Sequence, residues 1–240
     1  MKKFELTYKP FGQSAILIEW PPEIKLEILH DINTFSNQIT TNNIESIVEI
    51  NSIYSSLLII YNNNIHSFDK LKTTLMFVYE SLQSTTNFEA RTWEIPVCYS
   101  DEFGPDLDLL SAHSKLAKET IISMHSKTKY AVYGIGFLPG FLYLGGLDKQ
   151  LQFKRRNNPR LKIPKGSVAI GGSQTGIYPQ ESPGGWNIIG KTPIQLFDVT
   201  KNPPSSIKSG DFIQFKSISK NTFKELELKN GLTFLKLNDD

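Results

Sequence analysis

The glycines and prolines of this chain are concentrated in one part of it, and this distribution constrains the fold more than any other feature. Fourteen of the 16 glycines and 10 of the 13 prolines lie between residues 96 and 210. Residues 1–92 contain one glycine and three prolines. Because glycine and proline mark turns and interrupt regular elements, the two parts must be built differently. We therefore predict two domains, residues 1–90 and 91–240.

Composition excludes several classes of protein. Hydrophobic residues at 39% and charged residues at 21% indicate a folded chain, and 240 residues suffice for a sizeable core. A net charge of +2 does not favour a nucleic-acid partner. The single cysteine, Cys98, excludes a disulfide framework and a multi-cysteine metal site, and we expect it in the core. We find no secretory signal and no apolar run of membrane-spanning length, so we expect a soluble cytoplasmic protein without a membrane partner.

The N-terminal part follows the order β-α-β-β-α-β. Apolar residues recur at helical spacing in two segments, and Ser67 is placed to cap the second helix. The predicted elements are strand 15–20, helix 24–39, strands 44–50 and 56–61, helix 68–82 and strand 88–97. This order is typical of a ferredoxin-like split βαβ unit, a sheet with both helices on one face.

The C-terminal part predicts two short helices followed by many short strands. The helical stretch 107–126 is expected to break near Ser114, and Asp106 is placed to cap its start. The predicted strands are 130–133, 167–170, 193–197 and 212–215. Short strands separated by Gly/Pro-rich loops favour a β-barrel or a sandwich. For the tail, 221–240, both a helix and a strand remain open.

One segment matches a phosphate-binding pattern by its letters. Residues 185–192, GWNIIGKT, fit G-x-x-x-x-G-K-[ST], but that mechanism needs a helix starting at the lysine. Here Pro193 follows, and then residues that alternate as in a strand. We therefore interpret the segment as a turn anchored by Trp186 that enters a strand.

A basic loop and two histidines are the main candidates for chemistry. Residues 153–165 carry six basic side chains and no acidic one. They form either a solvated loop or an anion site, because arginine binds carboxylate and phosphate with two hydrogen bonds. His113 and His125 lie near the ends of the predicted helices, and each is either a general base or anion ligand, or a helix-end histidine.

Long motifs in the C-terminal part point to one family. They are IPVCY at 95–99, EFGPD at 102–106, GFLPGF at 136–141, YLGGLD at 143–148, RR at 155–156, PR at 159–160, PKGSV at 164–168, QTGIYP at 174–179 and SPGGW at 182–186. Their order and spacing resemble the family of 5-oxoprolinase B subunits, also called KipI-type kinase inhibitors or allophanate hydrolase subunit 1. His113 and His125 fall where that family has histidines.

The resemblance implies an α+β chain, with a ferredoxin-like N-terminal domain and a cyclophilin-like β-barrel as the C-terminal domain. It also implies a heteromer with a carboxyltransferase-like C subunit, and a separate A subunit. That assembly would convert 5-oxo-L-proline to L-glutamate with ATP, which the complex as a whole would bind. This chain would then be one component of a lactam hydrolase and would be inactive alone.

Two other functions remain open from the resemblance. The chain is alternatively an inhibitor of the autophosphorylation of a sensor histidine kinase. The third function is that of a component of the allophanate hydrolase or carboxyltransferase type. We expect no metal site, since Cys98 and the four scattered histidines show no ligand spacing.

The opening of a lactam by phosphorylation needs cationic donors and a proton donor or acceptor. We predict Arg155, Arg156 and Arg160 as the anion-binding cluster, with Arg160 also catalytic. We predict that His125 and His113 act as acid–base groups or bind an anion. The other predicted pocket residues are Gln174, Tyr178, Trp186, Pro139 and Phe141.

Overall fold

A computed structural model of the chain describes residues 3–62, 67–82 and 90–229, and the backbone of 235–237. The chain divides into two compact units, residues 1–89 and 90–240. Within the described residues, no helix is both long and apolar enough to cross a membrane.

The first unit is a sheet covered by two helices. Its described elements are β1 (Thr7–Pro10), β2 (Ala15–Glu19), α1 (Leu26–Thr41), β3 (Ile47–Ile53), β4 (Ser56–Tyr61) and α2 (Phe68–Glu80). The strand order is β1-β2-β4-β3, and all of these neighbours are antiparallel. The predicted cap of α2 is confirmed, because the Ser67 side chain accepts a hydrogen bond from the Lys70 amide.

Both helices pack on the same face of this sheet, as expected. The buried apolar residues recur at helical spacing in α1 and α2 and alternate along β2 and β4, so each element presents one face to the core. These residues are Ile28, Ile32, Phe35 and Ile39, then Leu71, Leu75 and Val78, and the strand residues Ile16, Ile18, Leu57 and Ile59. The buried Asp31 carboxylate joins the two helices to the end of β2, because it accepts hydrogen bonds of 2.7 Å from Trp20 Nε1 and from the Tyr79 hydroxyl.

The second unit is larger and richer in strands. Its described elements are β5 (Thr92–Val97), α3 (Leu107–Ser114), α4 (Lys118–Lys127), β6 (Lys129–Ile135), β7 (Leu142–Gly145), a 3₁₀ turn (Lys149–Leu151), β8 (Arg160–Ile163), β9 (Ser167–Gly171), β10 (Gln174–Ile177), β11 (Ser182–Gly184), β12 (Asn187–Lys191), β13 (Phe212–Ser217), α5 (Lys220–Leu228) and β14 (Leu235–Leu237). The α3 and α4 helices confirm the predicted break near Ser114. The tail contains both a helix and a strand.

The strands of the second unit follow the order β14-β5-β13-β6-β7-β10-β9-β12, with β8 and β11 as a separate pair. The β5/β13 pair is parallel and the other neighbours are antiparallel. The expected barrel is not a closed sheet in the described residues. β12 meets the residue directly after β5 at a single bridge, where Cys98 and Lys191 exchange hydrogen bonds of 2.9 and 3.0 Å. The coarser prediction, an α+β fold, is confirmed.

Two predictions about strands were wrong. The predicted last strand of the first unit, 88–97, is β5, which pairs with β13 and β14 in the second unit, whereas residues 88 and 89 lie outside the described residues. β2 pairs with β4 and also with β1, a strand that was not predicted because its mostly exposed residues show no apolar alternation. Residues 193–197 are not a strand, and the Ile194 amide donates a hydrogen bond of 3.2 Å to the Thr192 hydroxyl instead of to a neighbouring strand.

The part of the sheet formed by β9, β10 and β12 is buried on both faces. Along β9, Val168 and Ile170 face the main core, whereas Ala169 faces a smaller cluster. That smaller cluster also contains Phe141 and Trp186. Since successive side chains of a strand point to opposite faces, the smaller cluster lies across the sheet from the main core. This second face carries the candidate site.

Candidate functional site

Hydrogen bonds to the backbone of the basic loop hold it against the strands of the second unit. The Asn187 side chain donates a hydrogen bond of 3.0 Å to the carbonyl of Lys154. The Arg156 amide donates one of 2.7 Å to the carbonyl of Gly185. The loop is thereby fixed next to the start of β12.

The carboxylate of Asp106 engages two of the three predicted arginines. It is almost completely buried, with 3% of Asp106 exposed. Arg160 donates hydrogen bonds of 2.8 Å to both carboxylate oxygens, and Arg156 donates one of 3.1 Å. The Ile188 amide donates a further one of 2.7 Å. The hydrogen bond to Asp106 raises the pKa of Arg160 above its ordinary value.

This arrangement changes the interpretation of both arginines. Asp106 occupies the predicted cap position of α3, but its side chain makes no capping hydrogen bond and turns to the arginines instead. An incoming anion would have to compete with this carboxylate for Arg156 or Arg160. We therefore infer that these two arginines hold the basic loop in position through Asp106.

Next to this ion pair lies a cavity of about 370 Å³, which we call the aromatic pocket. Its lining consists of Phe137, Leu138, Phe141, Tyr143, Arg155, Pro159, Tyr178, Ser182, Pro183, Gly184, Gly185 and Trp186. Four of the predicted site residues, Phe141, Arg155, Tyr178 and Trp186, therefore lie together.

Phe141 is the centre of the aromatic wall. Its ring makes edge-on contacts with Phe137, Tyr143, Tyr178 and Trp186, at centroid distances between 4.9 and 5.6 Å. Aromatic rings prefer edge-to-face contacts because the positive edge of one ring meets the negative face of the other. The wall is thus a set of rings that hold one another in place.

Glycines make room for the two largest rings. A Cβ on Gly171 would lie 2.5 Å from three ring atoms of Trp186, and one on Gly184 would lie 2.4 Å from the Tyr178 hydroxyl. Only glycine permits such close approach of a ring to the backbone. Part of the glycine content of the second unit therefore serves to seat Trp186 and Tyr178.

Arg155 is the cation of the aromatic pocket. Its guanidinium carbon lies 5.6 Å from the centroid of the Trp186 ring, within the range of a cation–π contact. The side chain is exposed and forms no ion pair with the described residues. Burial raises the pKa of Tyr143 and Tyr178, and the charge of Arg155 opposes that effect at both.

His125 lies in the core rather than in the aromatic pocket. Its ring is fully buried and stacks on Phe215 at 4.6 Å. Thr175 Oγ1 donates to the Ala169 carbonyl, so it accepts from His125 Nε2–H at 2.9 Å, and Nδ1 then accepts from the Tyr99 hydroxyl at 2.8 Å. Burial lowers the pKa of His125 to about 3. A neutral histidine without solvent access is not placed for acid–base work on a bound molecule, and this corrects our prediction.

The remaining predicted residues do not line the aromatic pocket either. His113 is exposed and packs on the ring of Phe153 at 4.6 Å. Gln174 is buried in β10, and Pro139 is exposed in the loop between β6 and β7. The segment 185–192 contains β12 and no helix, which confirms that it is not a phosphate-binding loop.

Sequence reasoning missed Asp106 as a partner for arginine, and it missed Phe137 and Tyr143 as wall residues. All three lie in motifs that were recognised, EFGPD, GFLPGF and YLGGLD, so the motifs were the available signal. Among residues 3–62, 67–82 and 90–229, no three His, Cys, Asp or Glu side chains are grouped as metal ligands.

Comparisons with known proteins agree on one family. A family model described as "Carboxyltransferase domain, subdomain C and D" matches residues 6–207. The B subunit of 5-oxoprolinase from Bacillus subtilis (strain 168) is 35% identical over 222 residues, which cover 88% of this chain and 92% of that protein. The B subunit of 5-oxoprolinase from Haemophilus influenzae is 38% identical over 206 residues, covering 86% and 95%.

Solved structures also resemble this chain. The conserved uncharacterized protein PH0987 from Pyrococcus horikoshii is 41% identical with a TM-score of 0.55, covering 90% of this chain and 100% of that one. The urea amidolyase of K. lactis has a TM-score of 0.77 at 21% identity and shares the fold, with 95% of this chain matching 16% of that one. The chain therefore belongs to the family of 5-oxoprolinase B subunits, within the carboxyltransferase domains of subdomain C and D type.

Proposed function

We propose that this chain is the B subunit of an ATP-dependent 5-oxoprolinase. With partner subunits of the A and C types, it converts 5-oxo-L-proline to L-glutamate. The observation that carries this proposal is the match to subunits of that name, at 35% and 38% identity over almost the full length of both proteins. The chain works in the cytoplasm under this proposal.

The distribution of charged side chains in the second unit supports the proposal that the chain is inactive without its partner subunits. Attack on a lactam carbonyl is easier once ATP has phosphorylated it, and phosphoryl transfer needs several cations around the phosphates. Asp106 engages Arg156 and Arg160, and among the described residues Arg155 is the one cation that lines the aromatic pocket. We therefore assign ATP to the assembled complex and the aromatic pocket to another task.

The proposal includes the finer fold. The first unit corresponds to a ferredoxin-like domain in which β1 replaces the expected last strand, and the second to a cyclophilin-like barrel. Support for the barrel comes from the Cys98–Lys191 bridge, which joins the chain after β5 to the last strand of the sheet order.

Reconstitution tests the proposed function. The chain is purified with the homologues of the A and C subunits from its own organism, and glutamate and ADP are measured with 5-oxo-L-proline and ATP. We expect both products from the full set and neither when this chain is omitted. Stoichiometric inhibition of a sensor histidine kinase by this chain, without 5-oxoproline turnover by the full set, would support the kinase-inhibitor alternative instead.

A carboxyltransferase-type function is the second candidate. The family model carries that name, and the urea amidolyase of K. lactis shares the fold. Its identity of 21% is lower than that of the 5-oxoprolinase subunits, so we rank it second. Transfer of carboxyl groups by the reconstituted set, without glutamate formation, would favour it.

A further inference from the structure

The charge of the aromatic pocket selects its ligand. Of the described residues that line it, Arg155 is the one cation and none is acidic. The neighbouring Arg156 and Arg160 are engaged by Asp106. One exposed guanidinium matches a single negative charge, and its planar fork matches a carboxylate. A phosphate dianion would need further donors.

The size and walls of the aromatic pocket select a small, flat molecule. Its volume of about 370 Å³ is near the lower end of ligand pockets, which run from about 300 to 1,000 Å³. Five aromatic side chains supply flat apolar surfaces, and Arg155 lies over the Trp186 ring. A carboxylate bound by Arg155 would therefore have a ring system beside it.

Phe137 marks the aromatic pocket as a functional surface. Its φ of +62° is in the left-handed region, which is unfavourable for a bulky side chain. The turn is closed by a hydrogen bond of 2.7 Å from the Leu138 amide to the Gly136 carbonyl. In this strained turn Phe137 is 61% exposed, and its ring makes an edge-on contact with Phe141. Backbone strain that presents an apolar ring to solvent indicates a ligand contact.

We propose that the aromatic pocket binds a small, flat monocarboxylate, with the carboxylate on Arg155 and the ring against Phe137 and Trp186. The choice of 5-oxo-L-proline as this ligand rests on the proposed function. That molecule is a five-membered lactam with one carboxylate, so it fits the charge and shape of the site. The aromatic pocket is then the place where this chain holds the substrate, and ATP binds elsewhere in the complex.

The full-length chain and NMR test this proposal. The indole N–H signal of Trp186 is identified by its loss in Trp186→Phe. The probes are 5-oxo-L-proline, 2-pyrrolidinone, which is the same ring without the carboxylate, and inorganic phosphate. We expect 5-oxoproline to shift the Trp186 signal to saturation and 2-pyrrolidinone to bind at least about tenfold more weakly. Phosphate should not displace 5-oxoproline.

Two variants of adjacent residues separate a specific contact from general charge. Arg155→Gln should weaken the binding of 5-oxoproline at least about tenfold, since a charge-assisted hydrogen bond is lost. The binding of 2-pyrrolidinone, which has no carboxylate, should stay unchanged. Lys154→Gln removes the same charge from the same loop, outside the pocket lining, and should bind like the wild type. If Arg155→Gln does not fold, Arg155→Lys serves in its place, with an intermediate affinity because the charge stays but the planar fork is lost.

The proposal is overturned if 5-oxoproline gives no saturable shift, if 2-pyrrolidinone binds equally well, or if Lys154→Gln weakens binding as much as Arg155→Gln. Turnover by the reconstituted complex distinguishes failure of this binding proposal from failure of the proposed function. Turnover of 5-oxoproline without binding at Arg155 refutes the assignment of the aromatic pocket alone. Binding at Arg155 without turnover by the full set refutes the 5-oxoprolinase function and leaves the monocarboxylate site.

Discussion

Arg160 donates one hydrogen bond to each oxygen of the Asp106 carboxylate, and both measure 2.8 Å. Arg160 begins β8 and Asp106 precedes α3, so the pair joins two segments that are far apart in sequence. Arg156 adds a second guanidinium to the same carboxylate. Arg156 and Arg160 thus fix both ends of the segment that directly follows Arg155.

Replacement of Asp106 should cost stability. For Asp106→Asn we expect the free energy of unfolding to fall by about 2–3 kcal/mol, because two arginines lose a charged partner. The loss stays below that of a fully buried pair, since both guanidinium groups reach solvent. Asp108→Asn, at an exposed acid that pairs with Lys118, is the control and should change the value by less than about 0.5 kcal/mol. Equal denaturation midpoints for Asp106→Asn and wild type would contradict this role.

The contact between Trp186 and Gly171 is predicted to exclude any side chain at position 171. Gly171→Ala places a methyl group 2.5 Å from the indole, and we expect a destabilisation of about 1–3 kcal/mol with displacement of the ring. Gly185→Ala is the matched control for stability, because its nearest neighbour would be 3.7 Å away. Thermal unfolding of the two variants measures the difference. A stable Gly171→Ala with an unshifted Trp186 signal would show that the ring does not rest there.

We predict that the strained turn at Phe137 contributes to ligand binding and not to the stability of the fold. Phe137→Gly removes the ring and the unfavourable φ together, so we expect the free energy of unfolding to stay within about 1 kcal/mol. Binding of 5-oxoproline should weaken severalfold. Phe137→Ala keeps the unfavourable φ and should be less stable than Phe137→Gly, with the same loss of affinity. Wild-type affinity in both variants would exclude a ligand contact at this ring.

The buried His125 should make stability depend on pH. Burial lowers its pKa to about 3 in the folded chain, against an ordinary value of 6.5. Between these values the unfolded chain binds a proton that the folded chain does not, so stability is complete above pH 6.5 and is lost as the pH falls toward 3. From about pH 7 to about pH 5 this loss is on the order of 2 kcal/mol.

Chemical denaturation at these two pH values checks this prediction. His125→Gln does not titrate, so it should lose less stability on acidification than the wild type does, although it is less stable at neutral pH. His113→Gln, at an exposed histidine, should lose as much as the wild type. The prediction fails if His125→Gln and the wild type lose the same amount.

The helices were predictable from the sequence and the partners of several strands were not. Apolar residues at helical spacing, such as Ile28, Ile32 and Phe35, place one face of a helix in a core wherever that helix lies. A strand pattern such as that of β5 shows burial but not its neighbours, and its partner β13 lies more than 100 residues further along the chain. The exposed β1 carries no apolar alternation and was therefore missed.

The composition of the aromatic pocket was partly predictable, but its charge was not. Motifs rich in aromatic residues and glycine indicated Phe141, Tyr178 and Trp186, and all three line it. The three nearby arginines were predicted to form one anion site. The sequence does not show that Asp106, about 50 residues upstream, engages two of them. The burial of His125 was not predictable either, because a residue near the end of a helix can be exposed to solvent or packed in the core.

The most direct test of the proposed function is glutamate formation by the complete set of subunits with 5-oxo-L-proline and ATP. This chain is supplied as wild type, as Arg155→Gln or as Lys154→Gln, or is omitted. We predict glutamate with the wild type and with Lys154→Gln, a KM for 5-oxoproline raised about tenfold or more with Arg155→Gln, and no glutamate without the chain. Glutamate formed at the same rate when the chain is omitted would contradict the proposed role of this chain as the B subunit.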